Sequence, residues 1–319
     1  MTTYDRMSTY DTESTRRLAP ALRHLASFRT DLSLDALPGL RDSLNSRRRE
    51  SASTLDTAGV DVAEGVVVAD DGRAIPIRTY RSGSSRAPAV VFCHSGAFVL
   101  GNLDTDHRLC VELARRANCT VVSVDYRLAP EHPHPAGYHD ARAVLNWIVT
   151  EADSLNVDAT RLAVAGSSAG GALAALLAQA AAAGTAPKIA FQLLHQPVLD
   201  DAPTPSKQEF TMTPGFDGPA AQQMWEYLLG AGSDAVGAVP ARTGELADLP
   251  NAFISCSELD PLRDEAIDYA RRLMRSGVAT ELHVVPGTCH GFDSLMPEWK
   301  LSQQLFALQG AALRRALHS

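Results

Sequence analysis

The sequence predicts an α/β fold: a mostly parallel central sheet with helices on both faces. Three observations lead there. From about residue 60 onward, short apolar, β-branched runs alternate with longer stretches whose apolar residues recur at helical spacing. Strands buried on both faces and joined by crossover helices read this way. Turn residues mark the boundaries: Asp71-Gly72 between the first two strands, and Gly184 and Gly277 after two of the helices. A length of 319 residues suits one large domain with an appendage, or two domains.

The elements follow in order. Residues 1 to about 55 read as polar-rich helix, with Leu34, Leu37, Leu40 and Leu44 at three- and four-residue steps on one face. "EGVVVAD" and "RAIPIRTY" are two strands of a hairpin, so the sheet opens with antiparallel pairing. "PAVVFCH" is a strand, "HRLCVELARRAN" a helix, "CTVVSVD" a strand and "YHDARAVLNWIVTEAD" a helix. "RLAVAG" is a strand, "SAGGALAALLAQAAAAG" a helix, and "KIAFQLLHQPVLD" contains a strand. A Pro/Asp/Thr-rich insertion runs from about Asp200 to Gly218, with a helix around "AAQQMWEYLLG" behind it. "NAFISCS" is a strand, "RDEAIDYARRLMRSG" a helix, "ATELHVVPG" a strand, and residues 298–317 the last helix. The N-terminal helices and the 200–228 insertion fall outside the alternation. They are expected to fold over the strand C-termini, where open α/β sheets place their sites.

Composition narrows the function classes. Apolar residues make up 45% of the chain and the net charge is -8. An acidic chain is a poor partner for phosphate backbones, which attract basic surfaces, so no nucleic-acid partner is expected. Arg47-Arg48-Arg49 is the only basic cluster; it sits among Ser and Glu and reads as a solvated helix end or linker. The start, "MTTYDRMSTYDTESTRR", lacks an apolar core, so no secretory signal is expected. No run approaches the roughly 20 apolar residues of a membrane span. Five cysteines at 93, 110, 119, 256 and 289 are an odd count without CxxC spacing. Reduced thiols, a cytoplasmic location and no bound metal are the expectation.

The strongest chemical signal is "LAVAGSSAGGALAALL". Gly166-Ser167-Ser168-Ala169-Gly170 is a G-x-S-x-G pentapeptide lying between a strand and a helix. A serine on such a sharp turn has a strained backbone that exposes its Oγ. The residues two before and two after it crowd together, so both are Gly. The helix that begins there aims its N-terminal N–H groups at the same spot. Ser168 is therefore the candidate nucleophile. A phosphate loop is the alternative, but no Lys follows the glycines. Ser167 competes, one residue before the tip and facing another way.

A serine nucleophile needs a base, and the base an orienting acid, in the chain order Ser, Asp or Glu, His. Asp260 in "ISCSELDPLRDE" and His290 in "HVVPGTCHGF" each follow a strand, on the same sheet edge as Ser168. Glu258, Asp264 and Glu265 compete with Asp260; Asp264 and Glu265 also suit the first turn of a helix. Among the other histidines, His283 lies within a strand as a half-buried ring. His132, His134 and His139 sit in or near a Pro-rich turn, and His195 ends a strand where it could line a pocket. Cys289, beside His290, reads as a packed thiol, with an oxidation sensor as the alternative.

With these residues in place, the chain resembles the hormone-sensitive-lipase-like esterases of the α/β-hydrolase superfamily. "HSGAFVLG" parallels the family's HGGG-F-V-x-G loop, and "DYRLAPEHPHPA" its Y-R-L-A-P-E-x-x-x-P-A block. "GSSAGG" parallels its serine turn, and "DPLRDE" with "CHGF" its acid and histidine blocks. The match runs from about residue 60 to the end. It implies the α/β-hydrolase fold, with residues 1–55 as a helical cap segment, 56–319 as the catalytic domain, and the 200–228 insertion contributing to the cap. It also implies Ser168, His290 and Asp260 as a triad, with backbone N–H groups of Gly96, Ala97 and Ala169 as an oxyanion hole. His94 would brace the loop.

The implied reaction is hydrolysis of short- to medium-chain acyl esters through an acyl-enzyme, with a small-molecule ester as partner, no cofactor and no membrane. A homodimer is compatible with the resemblance. A non-catalytic small-molecule-binding relative, and an amidase or lyase on the same scaffold, stay as alternatives. Three departures stand out. Ser95 and Ala97 replace glycines in the loop, so their β-carbons penalise positive φ, while their N–H groups persist. Ser167 stands where Asp or Thr is usual. Asp106-His107 inverts the more frequent His-Asp and is expected to alter contacts behind the loop.

Overall fold

The computed structural model describes residues 16–230 and 235–318. The first fifteen residues, read as the start of the helical 1–55 segment, lie outside them. Among the described residues eight strands form one sheet: β1 (Asp61–Val68), β2 (Ala74–Arg81), β3 (Ala87–Cys93), β4 (Thr120–Val124), β5 (Val157–Ser167), β6 (Phe191–His195), β7 (Asn251–Leu259) and β8 (Thr280–Cys289). Across the sheet they lie in the order β1-β2-β4-β3-β5-β6-β7-β8. β2 runs antiparallel to both β1 and β4, and every other neighbouring pair is parallel. The predicted hairpin is thus one edge of the sheet. β3, β4 and β6 are buried along their whole length, as strands covered on both faces must be.

Among the described residues ten α-helices accompany the strands: α1 (Leu37–Ser53), α2 (His107–Ala117), α3 (Ala136–Thr150), α4 (Ala169–Ala182), α5 (Pro205–Glu209), α6 (Gly218–Leu229), α7 (Ala235–Ala238), α8 (Arg263–Arg275), α9 (Phe292–Leu295) and α10 (Lys300–His318). Alternate residues of β3 divide between two cores. Val91 and Cys93 pack with Leu145 of α3, Leu177 of α4 and Leu273 of α8. Val90 and Phe92 pack with Leu113 of α2 and Phe306 and Leu313 of α10. The period-2 alternation of a strand feeds both layers at once. Among the described residues no helix is long and apolar enough to cross a membrane.

The N-terminal segment differs from its expected pattern in two ways. Helix α1 starts at Leu37, with Pro38 in its first turn, where a missing N–H costs nothing. Leu37 is buried and Leu40 and Leu44 pack against the core, but Leu34 precedes the helix and is 59% exposed. Nor is Arg47-Arg48-Arg49 a helix end or linker: all three lie within α1, and Arg48 is half-buried.

Arg41 fixes α1 in place. Its guanidinium donates to the Val99 and Ala129 carbonyls at 2.7 and 2.9 Å and grips the Glu131 carboxylate at 2.7 and 2.9 Å. The "RLAPE" stretch is therefore the dock for this helix. The insertion, in turn, meets the N-terminal segment. Tyr227 Oη donates to the Leu32 carbonyl (3.0 Å), Gly215 N–H to the Phe28 carbonyl (3.1 Å) and Arg29 to the Met212 carbonyl (2.7 Å). Sequence pattern missed α5, α7 and α9, which are too short to show a helical period.

Candidate active site

Ser168 stands at the junction of β5 and α4 with φ 54° and ψ -116°. A positive φ on a non-glycine residue is strained, and here the surroundings enforce it. A β-carbon on Gly166 would collide with the Gly170 carbonyl, and one on Gly170 with the Cys93 and His94 carbonyls. The turn can close only with glycines at both places. Its packing sets the first turn of α4 against the end of β3, where the "HSGAF" loop departs. Ser168 N–H donates to the His195 carbonyl at 2.8 Å, and the Ser168 carbonyl accepts from Gly171 and Val198.

His290 follows β8. Its Nε2 lies 2.9 Å from Ser168 Oγ, and its Nδ1 lies 2.8 Å from Asp260 Oδ2. Asp260, just past β7, is wholly buried, and its Oδ1 accepts the Leu262 N–H at 2.8 Å. That bond turns the other oxygen toward the imidazole. The ring of Phe216, from the insertion, lies 4.9 Å from the His290 ring.

The competing residues sit elsewhere. Glu258 pairs with Arg17 and accepts the Gly287 N–H at 2.8 Å. Asp264 accepts the Ser206 N–H at 2.8 Å, and Glu265 accepts the Leu199 N–H and pairs with Lys207. The two acids thus fasten the insertion to α8. Ser167 ends β5, paired in register with His195. His283 is half-buried, bonded to Glu281 at 2.7 Å and stacked on Phe253. Cys289 is fully buried and its thiol is pushed up to about 12 by burial. It therefore lacks the thiolate character an oxidation sensor needs.

The loop after β3 shows how the departures are absorbed. Ser95 is not at positive φ; its N–H is engaged, donating to Asp106 Oδ2 at 2.6 Å. The inverted Asp106-His107 pair thus ties the loop down, while His107 Nδ1 sits 2.9 Å from the hydroxyl of Tyr80. Gly96 takes φ 131° and accepts from Val99 and Leu100, and a β-carbon there would strike the Leu100 carbonyl. The strain falls on Ala97 and Phe98, at φ 53° and 59°. Among the described residues, the N–H groups of Gly96 and Ala97 donate to no protein acceptor, and Ala169 opens α4 with its N–H equally free.

His94 is buried beneath this loop. Its ring stacks on Tyr126 at 4.2 Å, and its Nδ1 is 2.7 Å from the Ser95 carbonyl. Burial lowers its pKa to about 4, so it is neutral at physiological pH. Tyr126 Oη donates to the His94 carbonyl at 2.7 Å.

Sequence reasoning missed several residues here. His195 does not line the cleft, because its side chain is buried between Ser255 Oγ (2.9 Å) and Asp293 (3.1 Å). Its neighbour Gln196, at φ 46°, lines the cleft instead; its Oε1 accepts the Gly291 N–H at 2.6 Å and its Nε2 donates to Ser257 Oγ at 3.1 Å. Ser168, His290, Gly96 and Ala97 open into a cleft of about 390 Å³ that Phe28, Leu32, Leu55 and Phe216 also line. Only the Gln-Pro after a strand hinted at a turn there, and nothing local marked Phe28 or Phe216.

Comparison with known proteins agrees with this architecture. Residues 90–294 match the family model described as alpha/beta hydrolase fold. The chain is 40% identical to Esterase LipI of Mycobacterium tuberculosis over 71% of this chain and 74% of that protein. It is 34% identical to an ethyl acetate hydrolase of Pseudomonas putida over 77% and 81%. The crystal structure of esterase LipW from Mycobacterium marinum superposes with a TM-score of 0.94 at 57% identity, covering 96% of this chain and 98% of that one. A bacterial heroin esterase superposes at 0.90 with 34% identity over 96% and 100%. By sequence and by fold, the chain belongs to the hormone-sensitive-lipase-like esterase family of the α/β hydrolases.

Proposed function

We propose that the protein hydrolyses carboxylic esters of short to medium acyl chains, with Ser168 as nucleophile, His290 as base and Asp260 as orienting acid. The observation that carries this reading is the unbroken path from Ser168 Oγ to His290 Nε2 (2.9 Å) and from His290 Nδ1 to Asp260 (2.8 Å). In the first step Oγ attacks the ester carbonyl carbon while His290 Nε2 takes its proton. The carbonyl oxygen becomes an oxyanion facing the free N–H groups of Gly96, Ala97 and Ala169. His290 then gives the proton to the departing alkoxide, leaving an acyl-enzyme. Water, deprotonated by the same nitrogen, attacks the acyl carbonyl and releases acid and serine. Asp260 holds the imidazole with Nε2 toward the serine.

The N-terminal segment and the 200–228 insertion serve as the cap over this cleft; Phe28 and Leu32 from one, and Phe216 from the other, supply its apolar wall.

The test is hydrolysis of p-nitrophenyl esters from acetate to dodecanoate by wild type and Ser168→Ala. Turnover peaking at short chains and falling on the order of 10⁶-fold in the variant is expected. Turnover that survives in Ser168→Ala, or a maximum at dodecanoate, would overturn the reading.

A further inference from the structure

We propose that the esters this cleft takes carry a carboxylate, and that Arg48 of α1 binds it; the proposal rests on the esterase reading above. Arg48 lines the same cleft as Ser168 and His290. Its Nη1 is sealed from solvent without a hydrogen-bond partner, and among the described residues its guanidinium makes no hydrogen bond or ion pair. Arginine presents a fork of donors matched to a carboxylate, and a cation withdrawn from water with no partner is costly.

The other charges around the cleft do not fill this role. Asp104 is paired with Arg78 at 2.8 Å, Asp106 accepts the Ser95 N–H at 2.6 Å, and Asp293 is paired with His195 at 3.1 Å. Arg108 is paired with Glu298 at 2.8 Å. Asp106 has a hydrogen bond but no cationic partner, so among the described residues one unpaired anion stands against two unpaired cations, Arg48 and the exposed Arg47, and the cleft keeps a net positive charge. Burial lowers the pKa of Arg48 and Asp106 acts in the opposite direction. Even so, a guanidinium does not deprotonate in a protein, so the charge persists. Nη1 is closed to the cleft, but the other guanidinium nitrogens are not sealed and also lack a partner; an ester with a free carboxylate, such as a half-ester of a small diacid, would accept from them and be attacked at its other end.

Two measurements test this. The first is calorimetric binding of monobutyl glutarate and of neutral butyl pentanoate to Ser168→Ala, with and without Arg48→Gln. The half-ester is expected to bind roughly tenfold or more tightly than the neutral ester, and to lose that preference with Arg48→Gln, the range of a charge-assisted hydrogen bond. Arg48→Lys should recover part of it. Equal binding of the two esters, or a preference untouched by Arg48→Gln, would overturn the proposal and show that Arg48 serves only to balance Asp106.

The second measurement is hydrolysis of p-nitrophenyl hydrogen glutarate against p-nitrophenyl pentanoate. The ratio of their kcat/KM values should favour the half-ester in wild type and fall about tenfold in Arg48→Gln. A ratio that does not move overturns the proposal. Absence of turnover on both esters would count against the esterase reading, while the binding experiment still decides on Arg48.

Discussion

Asp106 holds the backbone of Ser95: its Oδ2 accepts the Ser95 N–H at 2.6 Å, and both residues line the cleft. Asp106 is itself buried, and burial raises its pKa while the Ser95 bond works against that. The carboxylate anchors the loop whose next two residues, Gly96 and Ala97, line the cleft with N–H groups that donate to no protein acceptor among the described residues. Asp106→Ala should free the loop and lower kcat by about 10²-fold, the cost of a small misplacement of catalytic groups. Asp106→Asn keeps an acceptor oxygen and should retain most activity. Steady-state kinetics on p-nitrophenyl butyrate decides; equal losses in both variants would mean that the charge, not the bond, is what matters.

Ala97 sits at φ 53°, where a β-carbon costs about 1–2 kcal/mol. Ala97→Gly removes that strain but adds freedom to the unfolded chain, worth about 0.4–1 kcal/mol in the other direction. The expected outcome is unchanged or slightly higher stability in urea unfolding, with hydrolysis retained and longer acyl chains better accepted. Ala97→Val should abolish turnover, since a β-branched residue does not tolerate this conformation. A Val variant as active as wild type would show that the loop does not need the conformation seen here.

Gln196 bridges the two sides of His290. It accepts the Gly291 N–H, and it donates to Ser257, whose hydroxyl in turn donates to the Cys289 carbonyl at 2.9 Å. It acts as a positioning residue for the imidazole. Gln196→Leu should lower kcat by about 10- to 10²-fold, the loss of one or two buried hydrogen bonds, with KM little changed. A loss confined to KM would place Gln196 in substrate contact instead.

The His195–Asp293 pair gives a pH prediction. For His195, burial opposes the charge but Asp293 outweighs it, and the net pKa lies above the ordinary 6.5. For Asp293, burial again opposes, His195 outweighs it, and the net pKa lies below the ordinary 3.8. The histidine's contribution is full below its unfolded value and is lost as pH rises through its raised folded value. The aspartate's contribution is present above its unfolded value and is lost as pH falls through its lowered folded value.

The pair therefore contributes most between roughly pH 4 and 6.5. Wild type should exceed His195→Ala by about 3–5 kcal/mol in that window, because the variant leaves a buried carboxylate unpaired. The gap should narrow above neutral pH. Urea unfolding at pH 5.5 and pH 9 measures it; a gap that widens with pH would contradict the assigned direction.

The fold and the proposed triad could be read locally. Strand, sharp turn and helix are encoded within a few residues, so Ser168 stood out from "AGSSAGG". Asp260 and His290 each follow a strand in the expected order. His94 and Gly96 were marked only by the resemblance of "HSGAFVLG" to a family loop, although the φ of 131° at Gly96 is one that glycine suits. Leu34 was misread because helical spacing continued one step past the true start, and spacing alone does not show where a chain enters a helix. Arg48 was misread because a basic run looks the same whether it faces water or a cleft.

The sequence by itself determined the alternation of strands and helices, the crowded glycine turn at Ser168, and the three residues whose order matches an acyl-transfer site. These depend on neighbours within a few positions and on the period of apolar residues. Only the tertiary structure decided that Gln196 reaches Gly291, that Phe216 lies against His290, that Asp106 carries the Ser95 amide, and that Arg48 opens into the cleft. The Asp106–Ser95 contact closes the loop between β3 and α2, and the others join segments far apart in the chain. Side chains from separate elements meet only once the core has fixed those elements in space, and no local pattern encodes that meeting.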